Sequence, residues 1–352
     1  MNSSWISSNI RRSPPDALYF LALLSRRLHF IALPIYFARN GIDLETKTAT
    51  IELETDRLDP LSALKICLFL SSMDHISCVF PHPSCYSIVL VLAQMKRFQT
   101  FILRLAYVKT VTLYLDPHHL RARRCLSTGR CLSVTTDEAL KEWACQYGAL
   151  LNCIVQKGCK SLTAINGGQV TEAYELQPLG FSEKYLPSVA LHLFPSQNAQ
   201  MLGFRRDPTQ GTVDIRLPPV PSSGLSMLTS LHIHSPTLLV PPGLDWMISA
   251  LRHSPITSLT ICMSSTAVDS RFWGTILALV ASAAPNLTAV ALTEIDLRNE
   301  HDALEFIARL PRLTDLDLAH VRPLLDTCTP HADGSHLPLE ASSQLPRSPH
   351  RH

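Results

Sequence analysis

Four segments in the last third of the chain repeat one pattern, and that pattern restricts the fold more than any other feature. Leu228-Thr-Ser-Leu-His-Ile, Ile256-Thr-Ser-Leu-Thr-Ile, Leu287-Thr-Ala-Val-Ala-Leu and Leu313-Thr-Asp-Leu-Asp-Leu share an apolar-x-x-apolar-x-apolar frame. The alternation at the end of the frame is that of a strand with one buried face. Between the frames lie helical patterns at Leu244–His253, Phe272–Ala283 and Ala303–Leu310, with Pro255, Pro285 and Pro311 in the turns that leave them. The frames begin at 228, 256, 287 and 313, spacings of 28, 31 and 26 residues. A strand-plus-helix unit of this length cannot bury its apolar face alone, so successive units must stack.

The earlier chain shows the same alternation at less regular spacing. Thr48-Ala-Thr-Ile-Glu-Leu, His75-Ile-Ser-Cys-Val-Phe, Thr110-Val-Thr-Leu-Tyr-Leu and Leu162-Thr-Ala-Ile-Asn read as strands. Helices are expected over Pro60–Leu70 with Leu61, Leu64 and Leu68 buried, over about Ser84–Arg97, and over Asp137–Lys157 with Gly158 as its cap. On the last helix Leu140, Trp143, Ala144, Tyr147, Leu151 and Ile154 share one side. Ser188–Leu193 and Thr212–Leu217 are strand candidates in a less regular stretch. Alternating strands and helices argue for parallel pairing through crossovers. Hydrophobic residues at 46% against 17% charged exclude a globally disordered chain, and a net charge of +2 gives no bulk attraction to nucleic acid.

The period and the strand-helix unit resemble those of leucine-rich-repeat proteins. The expected fold class is therefore α/β: an irregular leucine-rich-repeat-like solenoid, a curved parallel sheet backed by helices, spanning residues 43–325. A Pro-, His- and Ser-rich tail at 326–352 is expected to be disordered, as is the N-terminus at 1–13.

Residues 14–42 form a separate helical segment in this reading. Ser13-Pro14-Pro15-Asp16 suits a helix start, and Leu18, Leu21, Leu24, Leu28, Ile31 and Ile35 follow at steps of three or four. Pro34 is expected to end or kink that helix, and Asn40-Gly41 to cap a last turn ending at Arg39. Leu23-Leu24-Ser25-Arg26-Arg27-Leu28 resembles the second half of an F-box, as found in F-box and leucine-rich-repeat-like proteins of mushroom-forming fungi, with Leu28 where many members carry Trp. Met1–Asp16 lacks the Leu-Pro-x-Glu opening of that motif, so the expectation is a partial F-box. The resemblance implies a substrate receptor that docks a Skp-type adaptor of a cullin-RING ubiquitin ligase. Leu18, Leu21, Leu24 and Leu28 would be the adaptor-binding residues. The alternative is a non-catalytic repeat scaffold whose incomplete F-box no longer binds the adaptor.

No GxSxG elbow, Gly-rich phosphate loop, Walker lysine, HExxH or EF-hand loop occurs, so no enzyme activity and no cofactor are expected. His232 and His234 share one face of a strand, but a metal site needs a third converging ligand that the sequence does not designate. Both are expected to face solvent on the concave sheet. With Thr260, Asp315 and Asp317 they make a candidate surface for a protein target. The ten cysteines contain no CxxC pair, which fits reduced thiols in the cytoplasm or nucleus. Arg121, Arg123, Arg124 and Arg130 lie in a loop without interleaved aromatic residues, so no nucleic-acid partner is expected. Nor is a membrane partner: Arg26, Arg27 and His29 interrupt the apolar run Ala17–Phe37, and Ser25-Arg26-Arg27 stands where a signal-peptide cleavage site belongs.

Overall fold

The computed structural model describes residues 15–53, 59–81, 88–115, 137–167, 220, 226–239, 243–263, 270–297, 300–319 and 322–323. Within them the protein is α/β, with one nine-stranded, mostly parallel sheet and eight α-helices. In chain order the elements begin with α1 (Pro15–Leu24), α2 (Arg26–Arg39), β1 (Ile42–Asp43), β2 (Thr48–Glu52), α3 (Pro60–Ile66), β3 (Ser72–Val79), α4 (Ile88–Arg104), β4 (Tyr107–Tyr114), α5 (Asp137–Gln156) and β5 (Ser161–Ile165). There follow β6 (Ser230–His234), α6 (Gly243–His253), β7 (Ser258–Cys262), α7 (Ser270–Ala283), β8 (Ala289–Thr293), β9 (Asp296–Leu297), α8 (Glu300–Ala308), β10 (Asp315–Asp317) and β11 (Arg322–Pro323).

The large sheet runs β1-β2-β3-β4-β5-β6-β7-β8-β10, in chain order throughout. Only the β1–β2 pair is antiparallel; every later pair is parallel, as the crossovers require. A small parallel pair, β9–β11, lies beside it. Register places like positions of the frame side by side: Ile76, Val111, Leu162, Leu231, Leu259 and Val290 form one rank, all buried beneath the helices. Their neighbours along each strand point to the opposite, open face, because strand side chains alternate.

The frame extends further back than the repeat spacing indicates. Met73-x-x-Ile76-x-Cys78, Val108-x-x-Val111-x-Leu113 and Cys159-x-x-Leu162-x-Ala164 occupy the same buried places as the first three of the four later copies. The turn ahead of each late strand is tied to its neighbour by one repeated device. Thr229, Thr257, Thr288 and Thr314 each send a backbone N–H, at 2.9 Å, to the carbonyl of the equivalent residue one strand earlier: Lys160, Thr229, Thr257 and Thr288. Their hydroxyls reach the same carbonyls at 3.1–3.5 Å. At the other end of the strands, Asn166 and Glu294 take left-handed backbone angles (φ 62° and 57°) and continue the ladder, Asn166 N–H to His234 O at 2.9 Å and Glu294 N–H to Ala319 O at 3.1 Å.

Several expectations need correction. α3 stops at Ile66, four residues early, and Leu68 is exposed rather than buried. α4 runs to Arg104, seven residues past Arg97. At the N-terminus the break comes at Ser25, not Pro34. The Ser25 side chain accepts the Leu28 N–H at 3.2 Å and caps a new helix, while Pro34 lies inside α2. Since α1 and α2 are separate helices, the step of three or four across Leu18–Ile35 does not define one face. α2 buries His29, Ala32, Leu33, Tyr36 and Phe37 instead. Gly158 and Gly41, at φ 76° and 70°, close α5 and α2 as expected. Leu140's side chain, the strand candidates at 188–193 and 212–217, and the terminal stretches 1–13 and 326–352 lie outside the described residues.

Candidate docking surfaces

Two surfaces carry the residues singled out by sequence. The first is built on α1 and α2, which pack on each other and on the near end of the sheet. Leu18, Ala22, Leu33, Tyr36 and Phe37 join the same apolar cluster as the strands, which anchors the helical pair. This splits the expected adaptor-binding set. Leu18 is fully buried and belongs to the core, Leu21 and Leu28 are half-buried, and Leu24 is 72% exposed. Around Leu24 the exposed apolar residues are Phe20, Leu23 and Phe30, which the periodicity argument did not single out. Phe20, Leu23 and Leu24 stand three and four residues apart on α1, and large exposed apolar residues grouped in this way mark a candidate contact surface.

Beside this patch an open cleft of about 260 Å³ is lined by Ala22, Leu23, Ser25, Arg26, His29, Ile66 and Leu68. His29 and Phe69 hold the turn that carries Leu68. The His29 Nε2 accepts the Leu68 N–H at 3.3 Å, and the Phe69 ring packs on His29, Phe30 and Phe37 with centroids 5.5–6.4 Å apart. Below α3, the Asp59 carboxylate caps the helix through Ser62 N–H at 3.0 Å and takes an Arg97 guanidinium N–H at 2.8 Å, tying α3 to α4.

The second surface is the open face of the sheet. Its central rank reads Thr50, Ser77, Thr112, Thr163, His232, Thr260, Ala291 and Asp317 across eight strands, in register. His232 and Thr260 are hydrogen-bonded at 3.1 Å between Nδ1 and Oγ1. The expectation that His232 and His234 simply face solvent is corrected: both are half-buried. Burial lowers the pKa of each below the ordinary 6.5, and in His232 the charge of His234 adds to the effect. Asp315 and Asp317 are exposed on β10, the last strand of the sheet, away from the histidines. The face therefore brings His232, His234 and Thr260 together but leaves the two aspartates at its edge. Its other hydroxyls, missed individually, were legible as the polar places of the alternating frame.

Elsewhere burial makes thiols unreactive: it pushes Cys159 up to about 12 and Cys153 up to about 11. Among the described residues no three His, Cys, Asp or Glu side chains gather as metal ligands, and no helix is long and apolar enough to cross a membrane. The basic cluster Arg121–Arg130 lies outside the described residues. No protein-family model matches the chain, and neither does any curated protein.

Proposed function

We propose that this chain is an F-box-type substrate receptor of a cullin-RING ubiquitin ligase, a non-catalytic interaction module of the cytoplasm or nucleus. The stacked strand-helix units make a leucine-rich-repeat-like solenoid, and its open face holds a protein target. The α1–α2 pair is the partial F-box that docks a Skp-type adaptor. The observation that carries the reading is the exposure of Phe20, Leu23, Leu24 and Phe30 on helices whose opposite side is fixed in the core. An apolar patch on a rigid support is what a docking surface requires, since little ordering entropy is lost on binding.

A specific observation favours a second reading, a repeat scaffold without adaptor binding. Leu18, Leu33, Tyr36 and Phe37 close the near end of the sheet's core, so the helical pair has a structural role that needs no partner. Pull-down with a purified Skp-type adaptor separates the two. The docking reading expects retention of the native chain and loss in the doubly substituted Leu23→Asp, Leu24→Asp chain, whose exposed positions leave folding intact. No retention of the native chain, while a complete F-box control is retained, leaves only the scaffold.

A further inference from the structure

The cleft beside α2 extends the helical patch onto the sheet domain. Leu68, in the turn between α3 and β3, is 65% exposed, yet the turn is fixed from both sides by the His29 bond and the ring contacts of the half-buried Phe69. Leu68 is thus presented in one place, lining the cleft together with Leu23 and Arg26. A volume of about 260 Å³ falls just below the roughly 300–1,000 Å³ of small-molecule sites, and fits one large apolar side chain.

Charge indicates what presents that side chain. No Asp or Glu occurs between Ala17 and Ile42, while Arg26 and Arg27 are exposed and have no acidic partner among the described residues. A largely apolar cleft lined by the Arg26 guanidinium, with Arg27 next to it in the chain, complements an apolar anchor set in an acidic surface. We infer that the cleft between α2 and the turn 67–70 is the anchor pocket of the docking surface, taking an apolar side chain from an acidic partner protein. This rests on the reading of α1–α2 as the adaptor-docking element. It adds that the first unit of the sheet domain shares the contact.

The test uses the full chain and a purified Skp-type adaptor as probe, with affinity measured by titration. Leu68→Asp should weaken binding by about tenfold or more, as truncating an anchor pocket does. Leu304→Asp, equally exposed but far off on α8, should leave it unchanged. The double substitution Arg26→Glu, Arg27→Glu should also weaken binding, and the native affinity should fall with added salt. Because Leu68 is exposed, its substitution should not shift thermal unfolding; should it do so, the arginine pair carries the test alone. Native binding that neither Leu68→Asp nor the arginine substitutions weaken overturns the anchor pocket and leaves adaptor docking standing. No binding of the native chain overturns both, and retention on phosphatidylserine vesicles would then assign the basic apolar surface to anionic lipid.

Discussion

Leu259 and Thr260 are neighbours in sequence with opposite fates. The β7 pleat turns Leu259 into the core at 0% exposure and Thr260 onto the open face beside His232. Leu259→Asp places a carboxylate where no partner exists, at a cost of at least about 3 kcal/mol. Thr260→Asp loses one hydrogen bond at a half-buried position, about 1 kcal/mol. Chemical denaturation of the two variants checks this, and equal losses would mean that the register is shifted by one residue. The same alternation made Leu231, Ile233, Leu259, Ile261, Val290 and Leu292 readable as core from sequence. It did not reveal the threonine that precedes them. The recurrent Thr229, Thr257, Thr288 and Thr314 are visible as a repeat, but only the fold shows that each caps the carbonyl of the equivalent residue one strand earlier.

Among the elements, β6 carries the clearest pH dependence. His232 and His234 both favour the neutral form when folded, so as pH falls the unfolded chain binds protons first. Stability from the pair is complete above the ordinary value of 6.5 and is lost as pH falls from there through the depressed folded values. The unfolding midpoint should therefore drop between neutral and mildly acidic pH, and a His232→Gln, His234→Gln chain should show a flatter profile over that window. An unchanged slope in the double variant would place the acid sensitivity elsewhere. Elements were legible where local signals decided them: Pro60 at the start of α3, Gly158 after α5, and the prolines before β7, β8 and β10. They were misread where two local signals competed. At Ser25 a capping hydroxyl outweighed a continuous apolar period, and Pro34 was accommodated within a helix. The early frames at Met73, Val108 and Cys159 were obscured because the segments 116–136 and 168–219 interrupt their spacing.

At the scale of the whole molecule the two ends of the sheet differ. The near end is closed by antiparallel β1 and by α1–α2, whereas β10 ends the sheet with Leu316 and Leu318 partly exposed, at 37% and 39%. The frame assigns Leu316 to the core, and it is uncovered because no further strand pairs with β10 among the described residues. Closure of the near end predicts that Leu18→Ala lowers the unfolding free energy of the whole domain by roughly 2–5 kcal/mol, while Leu24→Ala changes it by no more than about 0.5 kcal/mol. If Leu18→Ala released only α1–α2 and left the sheet's transition in place, the shared core would be disproved. The central claim, that the exposed side of this closure is a docking surface, is tested most directly by hydrogen exchange of the full chain with and without a Skp-type adaptor. Added protection should concentrate at residues 17–31 and in the turn 67–70, with the late strands β7–β10 unchanged. Protection absent from both segments, at adaptor concentrations that saturate a complete F-box, would contradict it.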